Sequence, residues 1–301
     1  MRQIGPFASP GRAFAVACIG IASYSVMDAV MKGMSIAHGA YSAVLWRSVA
    51  GVVLMMPIFI ARRRPWPGRE ALILHVSRGS VGGASVLLFF WGLVRVTMAQ
   101  GVALTFLAPL IALFLAAATL GETIRRSAIG GSVIASLGVL AIAAGQWQAQ
   151  ASTEIVLGSL AIFAASILYA GSLILLRRQA QVADPLEVAL FTSMVLAAVL
   201  LVGAPFFSSM PAVALWPGIL GAAALGSVSA IFLAWAYRHA EAQVLAPVEY
   251  TAFVWSAILG YLVFGEHVTV WTVAGALLII VGCLFAIRGR VAPAPQTEAA
   301  A

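Results

Sequence analysis

Ala-Gln-Gly-Val-Ala-Leu-Thr-Phe-Leu-Ala-Pro, residues 99–109, leads through an unbroken apolar stretch to Leu120-Gly121-Glu122. Ala-Gln-Val-Leu-Ala-Pro, residues 242–247, leads through a second such stretch to Phe264-Gly265-Glu266. Past each Gly-Glu pair the two stretches keep step, Gly131 and Gly138 standing opposite Gly275 and Gly282 at a constant offset of 144. Upstream, Trp91 and Arg95 answer Trp235 and Arg238 within one residue of that offset, and Tyr24 and Lys32 answer Tyr169 and Arg177 at 145. Matches in this order mark an internal repeat spanning most of the chain.

The composition says where the repeat lives. Of 301 residues, 62% are apolar and 9% charged, against ~45–50% and ~25% in soluble domains. The mean hydropathy of +1.04 spreads that excess along the chain, so a soluble single-core enzyme is excluded and lipid is the solvent for most of the molecule. The net charge of +7 does not make a nucleic-acid binder, because its 17 basic residues are split among short gaps between apolar runs and build no solvated basic face. Cys18 and Cys283 both lie inside apolar runs, which speaks against a disulfide framework or a zinc site. The single lysine, Lys32, has no phosphate-cradling Gly-rich loop around it. No cofactor is expected. The first apolar run is longer than the apolar core of a signal peptide and reads as a retained membrane helix.

Spanning ~30 Å of hydrocarbon takes ~20 apolar residues. Ten such runs are expected: Phe14 to Met34, Tyr41 to Ala61, Ile73 to Val94, Met98 to Leu120, Ala128 to Trp147, Ile155 to Leu176, Leu186 to Phe207, Leu215 to Tyr237, Gln243 to Phe264 and Val268 to Ile287. With the N-terminus inside, 13 of the 17 basic residues fall in cytoplasmic loops, as short-loop orientation requires. The opposite loops receive Arg95, while Lys32, Arg47 and Arg78 stay in or beside helices. Each repeat holds five helices, an odd number, so the second copy enters the bilayer from the other face. The expectation is an all-α polytopic membrane protein with ten transmembrane helices in two inverted-topology five-helix repeats, residues 13–147 and 155–288. A cytoplasmic segment 1–12 precedes them, an outer linker 148–154 joins them, and a disordered cytoplasmic tail 289–301 follows. Gly121-Glu122 is then cytoplasmic and Gly265-Glu266 outer. Inverted repeats are the architecture of many secondary transporters, with a substrate site near the midplane between the halves.

The paired apolar helices ending in Gly-Glu, each followed by a Gly-rich helix, resemble the paired EamA domains of the drug/metabolite transporter superfamily. Met27-Asp28-Ala29-Val30-Met31-Lys32, Trp46-Arg47-Ser48, Ser77-Arg78-Gly79 and Pro247-Val248-Glu249-Tyr250-Thr251 are similar too. The resemblance covers about residues 13 to 287. It implies ten helices around a central cavity and movement of small metabolites, amino acids among them, across a bacterial inner membrane. The implied partners are a small-molecule cargo and membrane lipid.

Charges inside a bilayer cost ~2.5–3.5 kcal/mol each at a helix centre and need a partner or a water-filled cavity. Asp28 and Arg47 are expected at similar depth on neighbouring helices, as an ion pair that either fixes packing or meets the cargo. Lys32, at i+4 from Asp28, is the alternative partner. Arg78 either snorkels toward the cytoplasmic headgroups or attracts an anionic group into the cavity. Glu249, two residues after Pro247, is a candidate proton carrier alongside Asp28, or a hydrogen-bond partner for a neighbouring helix. Tyr24, Trp91, Tyr169, Trp235 and Tyr250 are candidate cavity-lining aromatics, with packing as the plain reading of each. Glu122 and Glu266 read as loop caps, and the repeat-matched glycines as sites of close helix approach. An intramembrane enzyme would need a nucleophile and base or metal ligands, and neither His-Glu-x-x-His nor Gly-x-Ser-x-Gly occurs. A channel would need a selectivity motif, and none is visible.

Overall fold

The computed structural model describes residues 10–63, 66–120, 126–148, 152–183, 185–239, 248 and 250–288. The tail 289–301, Glu122 and Glu249 lie outside the described residues. The described residues form helices: α1 Pro10–His38, α2 Ala40–Ala61, α3 Arg69–Leu93, α4 Met98–Thr105, α5 Ala108–Leu120, α6 Arg126–Gln148, α7 Thr153–Val182, α8 Pro185–Phe207, α9 Trp216–His239, α10 Thr251–Phe264 and α11 Val270–Arg288, with a short 3-10 turn at Val213–Leu215. Six segments are long and apolar enough to cross a membrane: Phe14–His38, Ala40–Ala61, Arg69–Leu93, Thr153–Leu175, Leu186–Phe207 and Val213–Leu233. Met98–Ala112, Ile129–Gly145, Thr251–Phe264 and Val270–Phe285 are shorter apolar helical segments.

One expected helix is corrected. Met98 to Leu120 is two helices, broken at Phe106 and Leu107. Pro109 has no N–H to give to the carbonyl of Thr105 four residues back. The chain tightens there, with Phe106 N bonding Ala103 O at 3.2 Å and Leu107 N bonding Leu104 O at 3.4 Å. Two reversals depend on glycine: Gly39, at φ 81, turns α1 into α2, and Gly265, at φ 66, ends α10.

The helices pair antiparallel. α1 runs along α9, Gly20 meeting Leu233 near one end and Gly218 meeting Met34 near the other. α3 runs along α7 in the same way, Gly92 against Gly158 and Gly82 against Ser172. α2 lies on α8, and α6 on α11. The last pair approaches backbone to backbone at two places: a Cβ on Gly138 would lie 2.5 Å from the carbonyl oxygen of Gly275, and one on Gly282 would lie 2.5 Å from that of Gly131. The element boundaries carry the sequence offset. Moved by 145 residues, Ala40–Ala61 falls on 185–206, against an observed Pro185–Phe207.

Burial is distributed as a lipid solvent requires. Leu140, Val202 and Leu262 are 62%, 79% and 71% exposed on the outside of the bundle, while Lys32, His75, Gln100 and Gln179 are buried. In hydrocarbon an apolar side chain gains nothing by turning inward, whereas a polar one must find its partners inside.

Candidate functional site

Five residues singled out from the sequence converge where α1, α2, α3 and α7 meet. Tyr24 and Asp28 stand on successive turns of α1, Arg47 on the second turn of α2, Arg78 on the third turn of α3, and Tyr169 on α7. Tyr24 is within electrostatic range of Arg47, Asp28 and Arg78, and Arg78 is within range of Tyr169. The two tyrosines matched by the repeat therefore flank one arginine.

The expected Asp28–Arg47 contact pair is not formed: no Arg47 nitrogen lies within 4.0 Å of the Asp28 carboxylate. The two groups still feel each other electrostatically. Arg47 Nη1 sits 3.8 Å from the Met27 sulfur, and Gly226 of α9 leaves space beside it, since a Cβ there would be 3.9 Å away. Arg47 Nε is buried without a hydrogen-bond partner among the described residues, and so is Arg78 Nε. Asp28 has no hydrogen bond or ion pair to a described residue. A buried, unmatched donor costs roughly 1–3 kcal/mol, and more when charged, so these groups are poised for a partner that the described residues do not supply.

Lys32 is not Asp28's partner either. Its ammonium forms an ion pair with Glu266 and donates to Val96 O at 2.7 Å, over the Phe264 ring at 5.2 Å. The other Glu266 oxygen accepts from Met98 N at 2.7 Å. This clamp ties α1 and the α3–α4 connection to the loop between α10 and α11, and it borders a 400 Å³ pocket that Arg95 and Gln100 also line. Reading Glu266 as a loop cap misses this lysine. The signal available in the sequence is that Lys32 and Glu266 both belong to repeat-matched sets.

Arg78 does not snorkel. Its Nη1 donates inward to Gln179 Oε1 at 3.1 Å and Thr192 Oγ1 at 2.9 Å. α3 reaches its neighbours closely because Gly79 and Gly83 face Val195 and Leu196 of α8, where a Cβ would come within 2.6 Å of either side chain. Behind Gln179 stands His75, 1% exposed and stacked on Phe191 at 4.6 Å, which bonds Glu187 at 2.8 Å. None of His75, Gln179, Glu187 and Thr192 stands out in the sequence, since they carry no motif and come from three separate helices.

The remaining aromatics separate. Trp91 packs on the same apolar cluster as Tyr24, but the Arg95 guanidinium covers its ring at 3.5 Å. Arg95 also bonds Glu154 at 2.7 Å. Tyr250 packs edge-on to Phe106 at 5.2 Å. The side chain of Trp235, like Glu249, lies outside the described residues.

A family model described as the EamA-like transporter family matches residues 11–144 and again residues 156–288. The chain is 26% identical over 275 residues to a pseudopaline exporter of Pseudomonas aeruginosa, covering 89% of this chain and 93% of that protein. It is 23% identical over 274 residues to a riboflavin transporter of Brucella anthropi, covering 88% and 95%. A solved crystal structure, 19% identical, superimposes with a TM-score of 0.61 over 92% of this chain and 96% of its own, which shows a shared fold.

Proposed function

The chain belongs to the EamA-like transporter family, and from that premise we propose that it carries small polar, amino-acid-like solutes across a bacterial inner membrane by alternating access. Its relatives are named as transporters, which supports reading this chain as a membrane transporter rather than an enzyme. The observation that carries the cargo reading is the pair of arginines, Arg47 and Arg78, each with a buried Nε lacking a partner among the described residues, beside the Asp28 carboxylate, which pairs with no described residue. Two guanidinium groups receive a carboxylate, since their N–H forks match its geometry. Asp28 meets an amine, or takes up the coupling proton. Glu249 is the second candidate for that proton. Tyr24 and Tyr169 supply aromatic faces and hydroxyls within range of Arg78, and Trp91, Trp235 and Tyr250 are proposed as further lining residues.

Ten spans in two inverted halves, with both termini cytoplasmic, are the proposed topology. The six long apolar segments and the four shorter ones supply the material for ten. The antiparallel packing of α2 on α8 and of α6 on α11 supports inversion, because helices that correspond at the repeat offset run in opposite directions.

Purified protein in liposomes, offered a panel of amino-acid-like solutes, tests the reading. Saturable flux of at least one solute is expected, and Asp28→Asn or Arg47→Gln will lower it about tenfold or more, the loss of ~1.4 kcal/mol or more, at unchanged levels of folded protein. Non-saturating flux, or saturable flux indifferent to both substitutions, rejects it.

A further inference from the structure

The hydrogen bonds behind Arg78 assign their own protons. A guanidinium only donates, so the Gln179 atom facing Arg78 at 3.1 Å is the amide oxygen. Thr192 also accepts from Arg78, because its own hydroxyl hydrogen is given to Val188 O at 2.6 Å. With its oxygen committed, Gln179 turns its NH2 toward His75 Nδ1, 2.5 Å away, and that nitrogen must offer a lone pair. The ring proton then sits on Nε2 and is donated to Glu187 Oε1 at 2.8 Å. One donor at Arg78 thus sets every tautomer and amide orientation as far as Glu187.

The same chain makes a second proton on His75 incompatible with the first arrangement. A hydrogen on Nδ1 would face the Gln179 NH2, donor against donor. Relief requires the amide to turn over, and its NH2 then faces the Arg78 N–H. Proton uptake at Nδ1 and the Gln179–Arg78 bond exclude each other. The groups facing His75 are Glu187 from α8, Arg78 from α3 itself and the uncharged Gln179 from α7, while α2 reaches this corner through Phe59, which meets Phe191. Glu187 is partly exposed and is the end of the chain open to water.

We propose that His75 and Gln179 are positioning residues for Arg78, and that a proton from the aqueous phase added to His75 Nδ1 breaks the Gln179–Arg78 bond and loosens the hold on an anionic cargo group. One N–H bond forms at Nδ1 as an O–H bond of a hydronium breaks, and the charge gained by the ring is balanced by the Glu187 carboxylate, which accepts from Nε2–H on the other side of the ring. The consequence for cargo rests on the reading of Arg78 given above, whereas the proton linkage does not.

The test is nitrogen-15 solid-state NMR of the full chain in lipid bilayers, with His75 assigned by its absence from His75→Asn. At high pH the ring is expected to carry its proton on Nε2, with an unprotonated Nδ1 resonance that disappears when acid protonates the ring. The Arg78 side-chain resonances will shift in the same step. In Gln179→Met the ring still titrates, but Arg78 no longer follows. A proton on Nδ1 at high pH, a ring that acid does not protonate while the protein stays folded, or Arg78 signals that ignore the wild-type step each overturn the proposal. The wild-type titration suffices for this if Gln179→Met does not fold. Should the linkage appear while Arg78→Gln transports normally in liposomes, the positioning stands and the cargo role of Arg78 fails.

Discussion

Leucine in place of Gly138 is expected to leave no folded protein, and alanine there to cost roughly 1–3 kcal/mol, the range for overpacked interiors. A Cβ at this position meets the Gly275 carbonyl oxygen at 2.5 Å and the Ile279 nitrogen at 2.9 Å. Both are backbone atoms of α11, so no side chain can rotate away, and relief requires the two helices to separate. Separation is costly in lipid, where apolar burial gives no compensating drive and association depends on close van der Waals contact. Gly282, the repeat mate of Gly138, faces the Gly131 oxygen at 2.5 Å, so Gly282→Ala should carry a similar penalty. Gly221 is the control: a Cβ added there would meet nothing within 4 Å, and alanine is expected to be neutral or to add up to ~1 kcal/mol through helix propensity. Thermal unfolding of the three alanine variants in one detergent decides the matter. Equal midpoints for Gly138→Ala and Gly221→Ala would contradict the packing described.

The second large effect lies at the Lys32–Glu266 clamp. Removing one member of a buried ion pair typically costs ~3–5 kcal/mol, because the survivor is left charged and unmatched. Lys32 is the more deeply buried partner, its side chain 3% exposed against 16% for Glu266. Glu266→Gln, which strands the ammonium, is therefore expected to destabilise by about 3 kcal/mol. Lys32→Met should cost less, since the carboxylate keeps the Met98 N–H and some access to water. The double variant Lys32→Met/Glu266→Gln is expected to lie above Glu266→Gln alone, since no unmatched ammonium remains. A double-mutant cycle on unfolding free energy measures the coupling. Strictly additive losses would mean that the two side chains do not act as a pair.

Much of the fold is legible in the sequence because its determinants are local. Apolar runs of spanning length, separated by Arg-Arg-Arg-Pro and Ala-Asp-Pro, place helices to within a few residues. The break in the Met98 to Leu120 run is also present in the sequence, in Pro109, but the uniform apolarity around it masks the lost hydrogen bond. For the site, Tyr24, Asp28, Arg47, Arg78 and Tyr169 are identifiable because an ionisable or repeat-matched polar residue in an apolar run must have a reason to be there. What each of them touches is not. Asp28 and Lys32 are one helical turn apart, yet Lys32 reaches a glutamate 234 residues away. Spacing along a helix says who could pair, and competition among groups on other helices decides who does.

The sequence by itself determined that this protein lives in lipid, that it is built from two related halves, and that a handful of charges sit where charge is expensive, because hydropathy, offset and composition are properties of the chain alone. Only the tertiary structure decided that Asp28 and Arg47 stay apart, that Lys32 belongs to Glu266, and that Arg78 points inward to a chain ending at His75 and Glu187. Hydrogen bonds of a few ångströms between α3, α7 and α8 depend on how closely glycines let those helices approach, and no local pattern records that distance.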